Sequence, residues 1–358
     1  MKIAFLSFYS GLVDRGVEVA TQALAQGLAK KFSTTVFQSG KRVVPNVTIV
    51  ILPVTVSKKL DSSPHFLKSV YVDYFSLKIL IFTLKWLPYF FREQYDVVIP
   101  TNGGWQVVIC RLACWILGKQ LIVQGNAGIG RDDRWQMLWQ PNRFIAISPA
   151  GFEWAKHYYS PAKISFIPYG VDVAAISRAK VHAVDLKKPI ALCVAAFLPY
   201  KRLELLIYAM KEVPEASLLL IGHGPLEQKL RDLGAQLLPG RFMLVTNVSH
   251  EQLLGYYKCA RVFSLPSKES EAFGIVYIEA LAANLPIVAT NDENRRYLVN
   301  GAGILVNPEI ISDYSDALKK VLYTDFDNQP RIQAAKFSWS EIVKQYTLVL
   351  NELNQGRV

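Results

Sequence analysis

Pro266-Ser267-Lys268-Glu269-Ser270-Glu271-Ala272-Phe273-Gly274-Ile275-Val276-Tyr277-Ile278-Glu279-Ala280 is the stretch around which the rest of the chain is read. A mostly apolar run, Ala260 to Leu265, feeds a short polar loop, and a helix is predicted from Phe273 or Gly274 onward. Glu271 falls at the loop-to-helix junction, and Glu279 follows two helical turns later. A helix N-terminus offers free N–H groups and the positive end of a dipole, which suits a phosphate. Carboxylates beside such a site accept hydrogen bonds from sugar hydroxyls, charge-assisted contacts of about 1.5–3 kcal/mol each. Loop, helix start and spaced acids together point to a nucleotide-sugar pocket. Spacing alone equally allows a surface Glu followed by a second Glu on an amphipathic helix.

Outward from this stretch, the second half is a β/α series. Strands are predicted at Ile190–Ala195, Ser217–Ile221, Phe242–Val245 and Pro286–Thr290, with helices at Leu203–Lys211, Leu226–Gly234 and His250–Cys259. Such alternation builds a parallel, doubly wound sheet whose ligands sit at the carboxyl ends of strands. The first strand exits into Phe197-Leu198-Pro199-Tyr200-Lys201-Arg202. Its two cations either neutralise a diphosphate or are solvated surface charges. In the turn Gly222-His223-Gly224-Pro225, the glycines let backbone come close to a ligand, and His223 points to solvent or caps the turn. Asn291 to Arg296 reads as a strand-exit loop. An amphipathic helix over 337–353 is expected to cross back to the first half.

The first half repeats the pattern. Lys2 to Phe8 is a strand, Ser10 to Gly16 a glycine-bearing loop and Val17 to Lys31 a helix, with strands at Thr35–Gln38 and Val47–Leu52. Gly11 and Gly16 fall short of a dinucleotide fingerprint, so NAD or FAD binding is only weakly supported. Further strands at Asp96–Pro100 and Leu121–Gln124 exit into Thr101–Trp105 and Gly125–Trp135, where a doubly wound sheet places ligands. The second loop is either a mobile substrate loop or a decorated surface loop. Tyr71 to Arg92 is rich in aromatic and aliphatic residues, but Lys78, Lys85 and Pro88 argue against a membrane span. It is an interfacial helix or a core helix with its charges outward.

The chain has 358 residues, which suggests two domains, and its 51% hydrophobic and 19% charged composition fits a globular protein rather than a disordered one. Four cysteines make no disulfide framework. Cys110 and Cys114 are four apart in an apolar run, so buried thiols in a reducing compartment are expected, and no structural zinc. The N-terminal apolar run is too short for a signal peptide and reads as a buried strand. Net charge is +11, and residues 1–185 carry 21 Lys and Arg against 11 Asp and Glu. That half either meets something anionic, a membrane surface or phosphorylated substrate, or is merely solvated.

Taken together, these motifs resemble the retaining glycosyltransferases of the GT-B class commonly called family 4, over nearly the whole chain and most densely from Ile167 to Pro308. Glu271 and Glu279 match the Glu-x7-Glu signature, with Phe273-Gly274 inside it. Ile167-Pro168-Tyr169-Gly170-Val171-Asp172 is similar to the Pro-Asn-Gly-Val-Asp hinge. Gly222-His223-Gly224-Pro225 and Pro199-Tyr200-Lys201-Arg202 resemble the Gly-Asp-Gly-Pro and Pro-Tyr-Lys-Arg segments, and Gly301 to Val306 the segment after the pocket.

The resemblance implies an α/β fold: two Rossmann-like doubly wound parallel-sheet domains facing across a cleft. Residues 1–170 would be the acceptor-side domain, with helix 337–353 packed back on it. Residues 171–188 would be a linker and 189–336 the donor-binding domain. The implied activity is transfer of a hexose from a UDP- or GDP-sugar to a glycan, lipid-linked or small-molecule acceptor, with retention of configuration. No metal and no cofactor are implied, and no nucleic-acid partner. The expected setting is cytoplasmic, with peripheral attachment of the basic half to the inner, anionic face of the cell membrane.

By the same resemblance, Lys201 would bind the donor diphosphate. Glu271 and the backbone at Phe273, Gly274 and Ile275 would hold the sugar, and Glu279 the ribose. Gly16 would admit backbone to the diphosphate, and Gly222, Gly224 and Arg202 would complete the donor site. Two departures stand out. Ala196 replaces the family's usual Arg five positions before the Lys, unless Arg202 or Arg295 substitutes for it. Gln124 stands near the place of a first-domain His, which His65, His157 and His182 do not fill; Asn126, Asp132 or Asp133 would take over there. A nucleotide-sugar epimerase of the same fold and a non-catalytic nucleotide-sugar-binding relative are the alternatives.

Overall fold

The computed structural model of the chain describes residues 1–13, 16–55, 70–160 and 163–355. Asp14 and Arg15 of the first loop, and His65, lie outside the described residues. Two compact units form: Met1–Tyr169 with Trp339–Val358, and Gly170–Ser338.

The first unit is built on strands β1 (Lys2–Leu6), β2 (Ser33–Gln38), β3 (Thr48–Ile51), β4 (Val97–Pro100), β5 (Gln120–Gln124), β6 (Arg143–Ala146) and β7 (Ile164–Phe166). They pair in the order β3-β2-β1-β4-β5-β6-β7, each pairing parallel. Strand order reverses between β1 and β4, which opens a crevice at their carboxyl ends. Ile3, Ala4, Phe5 and Leu6 are all fully buried. Helices cover both faces of a parallel sheet, so its central strands read as unbroken apolar runs.

The helix Tyr74–Glu93 buries one face in the core and leaves apolar residues on the other. Asp73 caps it by accepting from the Phe75 and Ser76 N–H groups. Phe82, Trp86 and Phe90 recur at helical spacing and are fully buried in one core. Phe75, Leu84 and Phe91 point outward. Cys110 and Cys114 are free thiols in the same core. The C-terminal helix Trp339–Gln355 packs against the helix Gly16–Leu28 and puts Ile342, Tyr346 and Leu350 into the opposite core with Ile3 and Phe5.

The second unit has β8 (Ile190–Val194), β9 (Ser217–Ile221), β10 (Phe242–Val245), β11 (Val262–Leu265), β12 (Ile287–Thr290) and β13 (Gly303–Val306). Their order is β10-β9-β8-β11-β12-β13, again all parallel. Here the reversal falls between β8 and β11. Residues 171–188, expected as a linker, fall within this unit. Asp172 caps a helix at Val173–Arg178, Ile176 is buried, and the His182 N–H donates to the Gly255 carbonyl. The expected exit loop 291–296 instead turns into a helix at Glu293–Val299. Asp292 is its N-cap and accepts from the Arg295 N–H at 3.1 Å, a contact of about 1 kcal/mol. Among the described residues no helix is long and apolar enough to cross a membrane.

Candidate functional site

The exits of β8 and β11, neighbours at the switch point, bring Lys201 and Glu271 together. Pro199–Lys201 is a single 3₁₀ turn, closed by Arg202 at φ +50°. The Lys268 N–H donates to the Tyr200 carbonyl at 2.8 Å, which stitches this turn to the loop after β11. The Lys201 ammonium then pairs directly with the Glu271 carboxylate, with side chains 9% and 12% exposed. A turn from the Lys268 carbonyl to the Glu271 N–H, 3.0 Å, aims the acid.

Two arginines brace that loop from beneath. Arg202 donates to the Pro266 carbonyl at 2.8 Å, the Ser267 carbonyl at 3.2 Å, Thr290 Oγ1 at 3.1 Å and the Glu309 carboxylate at 2.9 Å. Fully buried Arg295 donates to the Lys268 carbonyl at 2.7 Å and Ser267 Oγ at 2.8 Å, and pairs with Asp292 at 3.0 Å. Both guanidinium groups hold the loop that carries Glu271. Their contacts are to this loop and its neighbours rather than to the position of Ala196, which is itself exposed. Arg202, expected at the donor, is thus directed into protein carbonyls.

The helix after Glu271 runs Ile275–Ala282. Its N-cap, Gly274, has φ +82° and offers no side-chain cap, so the N–H groups at Ile275 and Val276 face outward from the helix start. A Cβ at Gly274 would stand 2.6 Å from the Tyr277 ring. Phe273 is buried, edge-on to Phe337. Glu279 lies on this helix, 5% exposed, with both oxygens engaged: one with His250 Nε2 at 2.7 Å, the other accepting from the Tyr257 hydroxyl at 2.7 Å. Burial and the neighbouring Glu279 carboxylate hold the Tyr257 hydroxyl well above its ordinary pKa, so it stays a donor.

Gly222 and Gly224, at φ +153° and +154°, do admit close backbone, but it is the protein's own. A Cβ on Gly222 would lie 1.8 Å from the Ala195 carbonyl oxygen, and one on Gly224 2.7 Å from that of Phe197. The Phe197 N–H donates to the His223 carbonyl at 2.8 Å. The turn therefore anchors the segment that leads from β8 to Lys201.

In the first unit, Gly16 is the exposed first residue of its helix. Gln124 closes β5, and its amide donates to the Tyr346 hydroxyl. Asn126 accepts from the Tyr169 hydroxyl at 2.5 Å. Asp132 accepts from the Tyr71 hydroxyl at 2.6 Å. Asp133 is buried, accepts from Gln136 at 2.9 Å, and burial pushes its carboxyl up to about 7. Arg131–Leu138 is a helix, and Trp135 is fixed by donating to the Gly104 carbonyl at 3.1 Å. Asn126, Asp132 and Gln136 reach a cavity of about 320 Å³ at the carboxyl end of β4, whereas Gln124 and Asp133 do not line it.

Sequence reasoning did not find His250 and Tyr257, the partners of Glu279, nor Arg295 as the buried brace. His250 follows a capping box, Ser249 with Gln252, which signals a helix start but not what its first side chain meets. Among the described residues no group of three or more His, Cys, Asp or Glu could hold a metal ion.

A model of the family described as Glycosyl transferases group 1 matches residues 177–337. The chain is 24% identical over 304 residues to a GDP-mannose-dependent alpha-(1-6)-phosphatidylinositol monomannoside mannosyltransferase of Mycolicibacterium smegmatis, covering 80% of this chain and 75% of that one. It is 30% identical over 203 residues to a D-inositol 3-phosphate glycosyltransferase of Mycobacteroides abscessus, covering 51% of this chain and 45% of the relative. Among solved structures it is similar to a sucrose-phosphate synthase from Thermosynechococcus elongatus, TM-score 0.78 at 20% identity over 99% of both chains. An Anabaena protein solved in complex with UDP-glucose gives 0.75 at 16% identity over 98% of this chain and 100% of that one.

Proposed function

We propose that this chain, which is similar to the group 1 glycosyltransferases over residues 177–337 and has the GT-B fold, moves a hexose from a UDP- or GDP-sugar to a glycan, lipid-linked or small-molecule acceptor with retention of configuration. The observation that carries this reading is the Lys201–Glu271 pair at the strand-order reversal of the second unit. Lys201 meets the diphosphate and stabilises charge as the leaving group departs. Glu271 and the N–H groups at Gly274 and Ile275 hold the sugar, and Glu279, fixed by His250 and Tyr257, holds the ribose. The anomeric C–O bond to phosphate breaks, the acceptor oxygen bonds to the anomeric carbon on the same face, and the acceptor proton goes to the departing phosphate. No enzyme nucleophile and no metal are required.

Relatives named for GDP-mannose and a neighbour solved with UDP-glucose support both nucleotides as donor candidates. The test is a thermal-shift screen of UDP, GDP, ADP and their sugars, followed by assays of donor hydrolysis and transfer. Binding of a nucleoside diphosphate with transfer or hydrolysis supports the reading. No nucleotide binding and no turnover would sink it, and turnover to an isomerised nucleotide-sugar without acceptor would favour an epimerase. Peripheral binding to anionic membrane is a separate proposal. Exposed Trp115, Ile116 and Phe91 in the basic half support it. Failure to sediment with anionic vesicles at low salt would reject it.

A further inference from the structure

The Lys201 ammonium is held by two groups of different kind. It pairs with the Glu271 carboxylate, and it lies over the Tyr200 ring, 5.0 Å from the ring centroid. A ring quadrupole attracts a cation within about 6 Å, and more strongly when the cation is desolvated. The Lys201 side chain is 9% exposed, so desolvation applies. We infer that Tyr200 is a positioning residue for the donor diphosphate: the face of its ring keeps the Lys201 ammonium at the exit of β8 once Glu271 has left it for the sugar. The inference rests on the glycosyltransferase reading above.

An arriving phosphate affects the two holders differently. Carboxylate and phosphate are both hydrogen-bond acceptors and compete for the same ammonium N–H groups. The ring attracts the charge through its quadrupole and needs none of them. Its hold therefore survives the exchange of Glu271 for phosphate. A lysine, a point charge on a flexible four-carbon stem, is the side chain that gains from such a hold. The backbone fixes the geometry. Pro199 opens the 3₁₀ turn, the Lys201 N–H donates to the Leu198 carbonyl at 3.0 Å, and the Lys268 N–H secures the Tyr200 carbonyl at 2.8 Å. Ring and ammonium thus project from adjacent positions of a turn tied both to its own start and to the loop after β11. Burial and the nearby Glu271 carboxylate raise the Tyr200 phenol above its ordinary pKa. The ring is therefore a neutral phenol and offers Lys201 its face rather than a phenolate charge. At 36% exposed, Tyr200 lies outside the buried core, so its ring can be altered without opening a cavity there.

The test titrates the full chain with UDP and GDP and, in parallel, with uridine and guanosine, because Lys201 acts on the diphosphate and not on the nucleoside. Tyr200→Leu is expected to weaken the diphosphate about tenfold, the size of one desolvated cation–π contact, and to leave nucleoside affinity where it was. Tyr200→Phe keeps the ring and should restore most of the loss. Phenylalanines with one, two or three ring fluorines at position 200 keep the shape while draining the ring face of negative charge. Diphosphate affinity should fall stepwise along that series at unchanged Tm. NMR adds a readout without any donor: the Lys201 ε-methylene protons are expected upfield of ordinary lysines, shielded by the ring, and should move back in Tyr200→Leu. Unshifted Lys201 protons, or a loss in Tyr200→Phe as large as in Tyr200→Leu, overturn the proposal. Diphosphate binding that is flat across the fluorine series overturns this assignment alone. Shielded Lys201 protons without binding of any nucleotide overturn the donor reading, and this assignment with it.

Discussion

Lys201 and Glu271, 70 residues apart in sequence, are ion-paired to each other at the carboxyl ends of β8 and β11. On the proposed reading a donor trades with this contact, taking the ammonium to its diphosphate and the carboxylate to its sugar hydroxyls. Removing one partner of a buried pair leaves an uncompensated charge, at a cost of about 3–5 kcal/mol. Lys201→Ala and Glu271→Ala should each lower Tm, and the double variant should recover part of that loss. Turnover should not recover: each single change is expected to cut kcat by about 100-fold or more, as loss of a charge-stabilising group does. A double-mutant cycle read by both Tm and kcat separates the two effects. Additive Tm losses would show that the pair does not couple.

Glu279 is held from two sides, by His250 and by Tyr257, before any ribose arrives. Its loss should act on nucleotide binding more than on the chemical step. Glu279→Ala is expected to weaken UDP or GDP by about 10- to 100-fold, the range of one lost charge-assisted contact. It should also erase discrimination between UDP and its 2′,3′-dideoxy analogue. Tyr257→Phe removes one orienting bond and should reproduce a smaller part of the loss, about 1 kcal/mol. Undiminished preference for the ribonucleotide in Glu279→Ala would move the ribose contact elsewhere.

How much of this was legible in the sequence depends on the range of the cause. The strands of both sheets announce themselves because burial on two faces makes continuous apolar runs, as at Ile3–Leu6 and Leu218–Leu220. Spacing and resemblance singled out the two acids and Lys201, and the structure brings Lys201 and Glu271 into contact. The helix Glu293–Val299 was not, since Asn291-Asp292-Glu293-Asn294 reads as loop until Asp292 is seen capping it. Nor was the fate of Arg202 and Arg295. A cation at a strand exit reads alike whether it faces phosphate or a carbonyl of its own loop, and only tertiary packing tells them apart.

Asp133 makes stability pH-dependent with a definite sign. Burial raises its carboxyl from 3.8 to about 7, so the folded state holds a proton that the unfolded chain releases. Its contribution is fully present below about pH 4 and is lost as pH rises through about 7. Over about 3 pH units, at about 1.4 kcal/mol each, the change is at most about 4 kcal/mol. Asp133→Asn keeps an acceptor for Gln136 without a titrating group. It should flatten this limb and raise Tm at pH 8 more than at pH 5. Denaturant melts of both proteins from pH 4 to 8 measure it, and parallel curves would place the titration elsewhere.

Gly222 and Gly240 both have positive φ, +153° and +71°, yet alanine should act differently at the two. Around Gly240 a Cβ would meet nothing within 4 Å, so Gly240→Ala bears only backbone strain, about 1 kcal/mol. At Gly222 the Cβ would stand 1.8 Å from the Ala195 carbonyl oxygen, and backbone cannot swing away as a side chain can. The segment that would have to shift, 195–197, leads straight into the turn bearing Lys201. Gly222→Ala is therefore expected to cost several kcal/mol, above the about 1–3 kcal/mol of conformational strain alone. It should weaken nucleotide binding in whatever fraction still folds, while Gly240→Ala leaves nucleotide affinity intact. Wild-type affinity in a folded Gly222→Ala protein would mean that the 222–224 turn does not position Lys201.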